Sequence, residues 1–244
     1  MWLRSGVGGR GGPAALPTGD PAGARAERSG GDPVPRSAGR APRLPELARC
    51  RARASLPSRG WAAATTTGRG GRPAGAGLRL RPLRPEDEAA FLAGHEAMAG
   101  DGFCFALHHE RGMSWSGYLA ALDTQRRGLD LAAGRVAATF LVADVGGEIV
   151  GRASIRHDLD EYLARIGGHI GYGVLPGHRR RGYATEILRQ SLVIARSVGV
   201  DPVLVICDDV NVGSARVIER CGGALESVVP EADGVPAYRR YWIS

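Results

Sequence analysis

Regularly spaced apolar residues begin only at Leu78 of this 244-residue chain and then continue to its end. Residues 1–77 carry 16 of the 37 glycines and 9 of the 15 prolines, with few aliphatic residues and no sustained helical or strand periodicity. Such a segment cannot bury enough apolar surface to offset the entropy lost on ordering. The sequence therefore predicts a disordered N-terminal extension at residues 1–77 and one domain at residues 78–244, whose 167 residues suffice for a sizeable core.

Charge divides at the same place. Residues 1–77 hold 13 Arg against 4 acidic residues, a net charge of +9, and the remainder holds 19 Arg against 21 acidic residues, a net charge of −2. A basic arm can bind nucleic acid or anionic lipid by releasing counterions. Lys is absent, however, so a GC-rich coding bias accounts for the Arg, Gly, Ala and Pro together. We therefore expect no membrane partner, and nucleic-acid binding by the basic arm is the less favoured alternative.

The sequence also shows neither a recognisable targeting signal nor a cysteine motif. Prolines between positions 13 and 45 prevent the long amphipathic helix of a transit peptide, and residues 1–30 lack the apolar run of a signal peptide. No stretch of about 18 apolar residues predicts a membrane span. The four cysteines show no CxxC spacing, which argues against a zinc site or a disulfide framework. We expect a cytoplasmic protein with reduced thiols.

Hydrophobic periodicity from Leu78 onward predicts seven strands and four helices. Two apolar, β-rich runs at 138–145 and 148–155 flank Gly146-Gly147, which is typical of a hairpin turn. The predicted order is β-α-α-β-β-β-α-β-α-β-β. This order indicates an α+β, three-layer α/β fold with a mixed, mostly antiparallel central sheet, flanking helices and one parallel crossover.

The loop before the third helix has the chemistry of an anion site. A short strand ends at Leu175, and the chain then passes through Arg179, Arg180 and Arg181 into a helix that begins with Gly182. Free N–H groups and the positive end of the helix dipole face such a loop, which suits a pyrophosphate. The P-loop and dinucleotide fingerprints are absent. On these residues alone, an anion site and a surface basic run that caps a helix are equally good interpretations.

Three motifs follow the order and spacing of a known family: Gly171-Tyr172-Gly173-Val174, Arg179-x-x-Gly182-x-Ala184 and Asn211-x-x-Ser214. They resemble the pantetheine-binding strand, the R/Q-x-x-G-x-G/A signature and the N-x-x-S/A helix of the GNAT superfamily of acyl-CoA N-acyltransferases. The branch that they resemble is the one with N-x-x-S. The resemblance spans roughly residues 78–243. It implies the GNAT fold and an enzyme that uses acetyl-CoA.

The resemblance also implies the cofactor contacts. Acetyl-CoA would be the co-substrate, and no metal is implied, since His108-His109-Glu110 lacks the H-E-x-x-H spacing of a metal site. The backbone of Val174 would hold pantetheine, and Asn211 would contact the same arm. The pyrophosphate would be held by Arg179, Arg180, Arg181, Gly182, Tyr183 and Ala184.

Catalytic residues are less closely specified. In this family an amine attacks the thioester directly, so the protein must deprotonate the amine and protonate the leaving thiolate. Many relatives carry a Tyr for the second task where this chain has Ile218. Ser214 is the candidate acid, or else a polar residue of the first helical turn. His169, which titrates near neutrality, is the candidate base, or else a structural strand residue.

These observations predict an N-acetyltransferase acting on a primary amine of a small molecule or protein. The alternative is a non-catalytic acyl-CoA-binding, regulatory module, since the usual Tyr is missing. Asp208 and Asp209 either bind a cationic substrate or lie in a solvated loop, and Trp115 and Tyr118 either line the acceptor pocket or pack between helices. The oligomeric state does not follow from the sequence, with a homodimer as one option.

Overall fold

The computed structural model describes residues 77–132, 134–232 and 234–244. The predicted extension at residues 1–77 lies outside the described residues except for Gly77, as does Cys50. In the described part of the chain, no helix has both the length and the apolar character needed to cross a membrane.

The described residues form seven strands and four α-helices in the predicted order. The strands are β1 (Leu78–Arg81), β2 (Ala138–Val145), β3 (Glu148–Arg156), β4 (Ile170–Val174), β5 (Val203–Asp208), β6 (Ala224–Val229) and β7 (Tyr238–Ile243). The α-helices are α1 (Glu88–Ala99), α2 (Trp115–Arg126), α3 (Tyr183–Ser197) and α4 (Val212–Arg220). Short 3-10 turns lie at Pro85–Asp87 and Pro176–His178, and a π-helical turn lies at Leu163–Gly167.

Helices cover both faces of the sheet that β1–β4 form. Phe140 and Val142 of β2 pack in one cluster with Phe91 and Tyr118, so α1 and α2 lie on that face. Ile155 of β3 belongs to the opposite cluster, with buried side chains of α3, β5 and α4. The β2–β3 hairpin turns at Gly146 and Gly147, both with positive φ, as the sequence predicts. The predicted α+β fold class is confirmed.

The strands divide into two sheets, a division that the sequence did not predict. One sheet has the order β1-β2-β3-β4 and the other β5-β7-β6, and in the described residues every ladder between these strands is antiparallel. β4 and β5 are joined by the α3 crossover that the sequence predicts, which brings them side by side. They share no ladder in the described residues, so the molecule has a gap between them.

The two strands touch where each begins. The His169 N–H donates to the carbonyl oxygen of Leu204 at 2.7 Å, and the Leu204 N–H donates to His169 Nδ1 at 2.8 Å. Gly168, with φ of 65°, makes this approach possible because a Cβ there would lie 2.8 Å from the Leu204 carbonyl oxygen. The gap therefore opens from this contact toward the carboxyl ends of β4 and β5.

Candidate functional site

A cavity of about 550 Å³ lies in the gap between β4 and β5. Residues of β4, the end of β5 and the first turn of α4 line one part of it. The α1–α2 loop, the π-helical turn before β4, the start of α3 and two arginines of β3 line other parts. The site is thus built where a split sheet, a helix start and a long loop meet.

The edge of β4 that faces this cavity offers backbone hydrogen-bonding groups. The Leu175 N–H donates to the Val150 carbonyl oxygen at 2.9 Å, and the Arg156 N–H donates to the His169 carbonyl oxygen at 2.8 Å. These two bonds fix the alternating pattern of the β3–β4 ladder. Between these bonds, Tyr172 and Val174 direct their N–H and C=O groups away from β3 and into the gap. A strand edge of this kind pairs readily with an extended amide chain.

The loop that follows β4 forms a concave set of backbone N–H groups. Arg180 and Gly182 have φ of 61° and 80°, and Gly182 begins α3 without a side-chain cap. Alternation of left- and right-handed residues turns successive N–H groups to one side, an arrangement that binds anions. Among the described residues, no acceptor takes a hydrogen bond from the N–H groups of residues 180–185. The loop therefore has the backbone geometry of an anion-binding concavity at the positive end of α3.

The three loop arginines differ in their surroundings. Arg180 and Arg181 are exposed, and neither has an ion-pair partner within the described ranges. Arg179 is half-buried; its Nε donates to the Val174 carbonyl oxygen at 3.1 Å, and its Nη2 binds the carboxylate of Asp101 in the α1–α2 loop. Arg179 thus links the anion loop to the opposite wall of the cavity, and the other two remain available to an anion.

The start of α4 brings two polar side chains to the cavity. Asn211 caps the helix by accepting from the Ser214 N–H at 3.0 Å. The Ser214 hydroxyl lies 3.3 Å from the hydroxyl of Tyr172 on β4. Ile218, which stands where relatives of the resembled family carry Tyr, is fully buried in the core and contributes no polar group.

Tyr172 is a functional candidate that the sequence reasoning used only for its backbone. Burial raises the pKa of its hydroxyl above the ordinary value, so the group keeps its proton at neutral pH. Its side chain lies on the α3 and α4 side of β4, whereas Gly171 and Gly173 lie on the other. The sequence feature that could have indicated this role is a tyrosine flanked by two glycines on a strand.

His169 lies at the closed end of the gap and does not line the cavity. Its Nδ1 already accepts from the Leu204 N–H, so the ring proton of the neutral form sits on Nε2. Burial, with Arg156 nearby, lowers the pKa of the ring below its ordinary value. This geometry favours the structural alternative for His169, in which it pins β4 to β5. The catalytic role stays a prediction.

Replacement of His169 separates the two roles. His169→Asn keeps an acceptor close to the Nδ1 position, whereas His169→Ala leaves the Leu204 N–H without it and costs about 1–3 kcal/mol of stability. Since the folded state favours the neutral ring, its stability contribution is complete above an unfolded pKa of about 6.5 and falls as the pH drops below that value. We expect thermal unfolding scans to show a smaller acid destabilisation for His169→Asn than for the natural chain.

His95 and His157, whose pKa values burial also lowers, keep part of that acid sensitivity in every variant. Catalytic rates provide the second measurement. If His169 is structural, His169→Asn should have near-normal turnover. If the Asn and Ala variants are equally stable and lose turnover to the same extent, His169 is instead the base.

Of the other candidate residues from the sequence, some lie in the helix core or in an ion pair and one lines the cavity. Trp115 and Tyr118 are buried between α1 and α2, where Trp115 Nε1 donates to the Arg84 carbonyl oxygen at 3.0 Å. They do not line this cavity, which favours the helix-packing alternative, and Phe103 of the α1–α2 loop lines it. Asp209 is ion-paired with Arg239 at 2.7 Å, whereas Asp208 lines the cavity.

Two arginines of β3, Arg152 and Arg156, were missed by the sequence reasoning. They line the cavity and are buried, at 3% and 7% exposure. Arginines four residues apart in a mostly apolar strand share one face, which is the signal that would have found them. Within the described residues, no group of three or more His, Cys, Asp or Glu side chains is placed to hold a metal ion.

Comparison with known proteins places this architecture among acetyltransferases. Residues 77–224 match the family model described as "Acetyltransferase (GNAT) domain". No curated protein sequence matches the chain significantly.

Solved structures match the chain at low sequence identity. RimJ of Mycobacterium smegmatis, determined in complex with CoA-disulfide, is 23% identical, with 70% of this chain and 83% of that chain covered and a TM-score of 0.51. A putative GnaT-family acetyltransferase from Bordetella pertussis is 22% identical, with 68% and 95% covered and a TM-score of 0.46. The putative acetyltransferase yncA from Salmonella typhimurium, determined with acetyl-CoA, is 16% identical, with 68% and 92% covered and a TM-score of 0.46.

Proposed function

The chain belongs to the GNAT acetyltransferase family, and from that membership we propose that it transfers the acetyl group of acetyl-CoA to a primary amine by direct attack. One observation carries the proposal: a strand edge, an anion-binding loop and a paired tyrosine hydroxyl all border the same 550 Å³ cavity. Each supplies one requirement of thioester aminolysis, namely a hold on the cofactor arm, a hold on its phosphates and a proton donor.

The residues of the cavity fit a CoA thioester. The N–H groups of residues 180–185, together with Arg180 and Arg181, would hold the pyrophosphate. The gap-facing edge of Tyr172 and Val174 would pair with the amides of pantetheine as an added strand does. Asn211 would contact that arm through the amide NH₂ that its cap does not use. The RimJ structure, which shares the fold, contains CoA-disulfide, consistent with a ligand of this class.

Tyr172 is the proposed proton donor, and Ser214 is the residue that positions it. As the amine nitrogen bonds to the thioester carbon, the carbon–sulfur bond breaks and its electron pair stays on sulfur. Tyr172, whose hydroxyl is protonated at neutral pH, donates to that sulfur, and the proton that the acylated nitrogen then loses returns through water to the tyrosinate. The Ser214 hydroxyl, 3.3 Å away, orients the phenol and accepts or returns its hydrogen bond.

Asp208 is the proposed partner of the attacking amine. It lies at the carboxyl end of β5 and lines the cavity, whereas His169 lies outside it. Asp208 would bind the ammonium group and, directly or through water, remove the proton that the amine must lose before attack.

Titration of the full chain with acetyl-CoA tests the cofactor assignment. We expect saturable binding and a rise in unfolding free energy of about 2.7 kcal/mol when acetyl-CoA is at about 100 times its dissociation constant. A panel of primary amines, read by mass spectrometry of the products, then tests turnover. Binding without any acetylated product would favour the non-catalytic acyl-CoA-binding module. An absence of binding would refute both the acetyltransferase and the non-catalytic module.

A further inference from the structure

The face of β3 and β4 that lies opposite Tyr172 carries two buried positive charges that the proposed acetyl transfer does not use. In the β3–β4 register, Arg152 pairs with Gly173, and Arg156 lies one residue beyond the Ile155–Ile170 pair. The two arginines share one face of β3 with an even spacing, next to the cavity-lining glycines of β4. This face is the one covered by α1 and α2 rather than by α3.

The two guanidinium groups converge over Gly171. A Cβ at Gly171 would lie 3.8 Å from Arg152 Nη1 and 3.9 Å from Arg156 Nη1. Gly171 supplies no side chain, so this point between two cations belongs to the cavity. Two kinds of contact hold the Arg152 guanidinium in place. It lies 4.3 Å from the centre of the Phe103 ring, and it donates to the carbonyl oxygens of Gly171 and Cys104.

Arg156 is buried without a neighbouring carboxylate among the described residues. Its Nη1 donates to the carbonyl oxygens of Gly168 at 2.8 Å and Gly167 at 3.3 Å, and Asp160 acts on it only from beyond ion-pair distance. Burial lowers the pKa of its guanidinium to about 10, because the charged form has lost its hydration. A buried cation that is satisfied only by carbonyl dipoles is costly to the fold. An anionic ligand would offset that cost.

We propose that Arg152 and Arg156 form a carboxylate-binding subsite over Gly171, so that the acetyl acceptor is an amine that also carries a carboxylate. Guanidinium forks match the planar geometry of a carboxylate and bind it through paired hydrogen bonds. The subsite deepens the proposed function and rests on it: the amine end of the acceptor would lie toward Val174 and Asp208, and the carboxylate end toward the arginines.

Strand geometry sets the length of this acceptor. Gly171 lies three residues before Val174, and a strand rises about 3.3 Å per residue, so the two ends of the acceptor site are roughly 10 Å apart along β4. An α-amino group adjacent to its carboxylate is too short to span this distance. The subsite therefore favours an ω-amino acid, or a diamino acid acetylated on its side chain.

A matched series of acceptors tests the subsite in the full chain. We expect 5-aminopentanoate to be acetylated with a kcat/KM at least about tenfold higher than that of 5-aminopentanol, the neutral analogue of similar length, and higher than that of glycine, which is too short. Arg156→Gln should remove the preference, and Arg189→Gln, an exposed arginine of α3, should keep it. Equal rates for the acid and the alcohol, or a preference for 4-aminobutylphosphonate over the carboxylate, would overturn the assignment.

Glutarate, which has two carboxylates and no amine, gives a readout that does not depend on turnover. We expect saturable glutarate binding by calorimetry, weakened at least about tenfold by Arg156→Gln. Gly171→Asp keeps both arginines and adds a carboxylate between them, so it should raise the unfolding temperature and abolish glutarate binding. If glutarate binds through Arg156 while no amine is ever acetylated, the proposed function fails and the subsite stands. If both variants fold and bind glutarate as tightly as the natural chain does, the subsite assignment is wrong and the proposed function is unaffected.

Discussion

Gly182→Val is expected to weaken acetyl-CoA binding at least about 100-fold, because it removes the backbone geometry that the pyrophosphate needs. Gly182 has φ of 80°, where a β-branched residue is strained by about 1–3 kcal/mol. The strained residue will relax toward negative φ and rotate the N–H groups at the start of α3 away from a common centre. Two or three charge-assisted hydrogen bonds are lost together, each worth about 1.5–3 kcal/mol.

The same helix provides the control for backbone strain. Gly199, just beyond the end of α3, has φ of 87° and open space around its Cβ position. Gly199→Val therefore introduces similar strain at the opposite end of the helix, remote from the anion loop. We expect both variants to lose stability in denaturant unfolding, and calorimetry to detect weakened acetyl-CoA binding in Gly182→Val alone. Equal affinities in the two variants would mean that the loop does not hold the pyrophosphate.

The loop at Gly182 was predictable because its chemistry is local. A strand end, a turn and a helix start within ten residues are each specified by neighbouring side chains, and glycine readily adopts the left-handed conformation that the structure has there, at φ of 80°. The hairpin at Gly146-Gly147 was predictable for the same reason. Periodicity likewise gave the element order, since each amphipathic segment reports which of its own faces is buried.

The gap between β4 and β5 was not predictable, because it depends on pairings between distant segments. β7 inserts between β5 and β6, and the contact of His169 with Leu204 joins residues 35 positions apart. A single strand pattern does not state which neighbour it pairs with. The amino-acid type of His169 suggested a base, whereas its environment, a buried ring that accepts from a backbone N–H, is a property of the assembled fold.

The side chains of the cavity show the same limit. Tyr172 meets Ser214 across 42 residues, and Arg156 meets Gly171 only through the β3–β4 register. Each residue type was visible in the sequence, but the pairing that gives it a chemical role was not. The missing Tyr at Ile218 therefore suggested an incomplete active site, whereas the fold places the hydroxyl-bearing side chain of Tyr172 at the cavity.

Tyr172→Phe is expected to lower kcat about 100-fold with little change in the KM for acetyl-CoA, because it removes the proposed proton donor and keeps the ring that packs against the core. Ser214→Ala should lower kcat by a smaller factor, about fivefold to tenfold, since Ser214 acts by orienting Tyr172. The double variant should be no slower than Tyr172→Phe alone, because the two hydroxyls act as one unit. Steady-state rates with a fixed amine measure all three.

Tyr241→Phe is the matched control for loss of a buried tyrosine hydroxyl. Tyr241 is fully buried on β7 and donates to Glu219 at 3.1 Å, and it does not line the cavity. Its replacement should lower stability and leave kcat near normal, so a general effect of removing such a hydroxyl is separable from proton donation. Full activity in Tyr172→Phe with a large loss in Ser214→Ala would make Ser214 the acid by itself. Full activity in both would mean that the thiolate takes its proton from solvent, since in that case neither hydroxyl is needed at the sulfur.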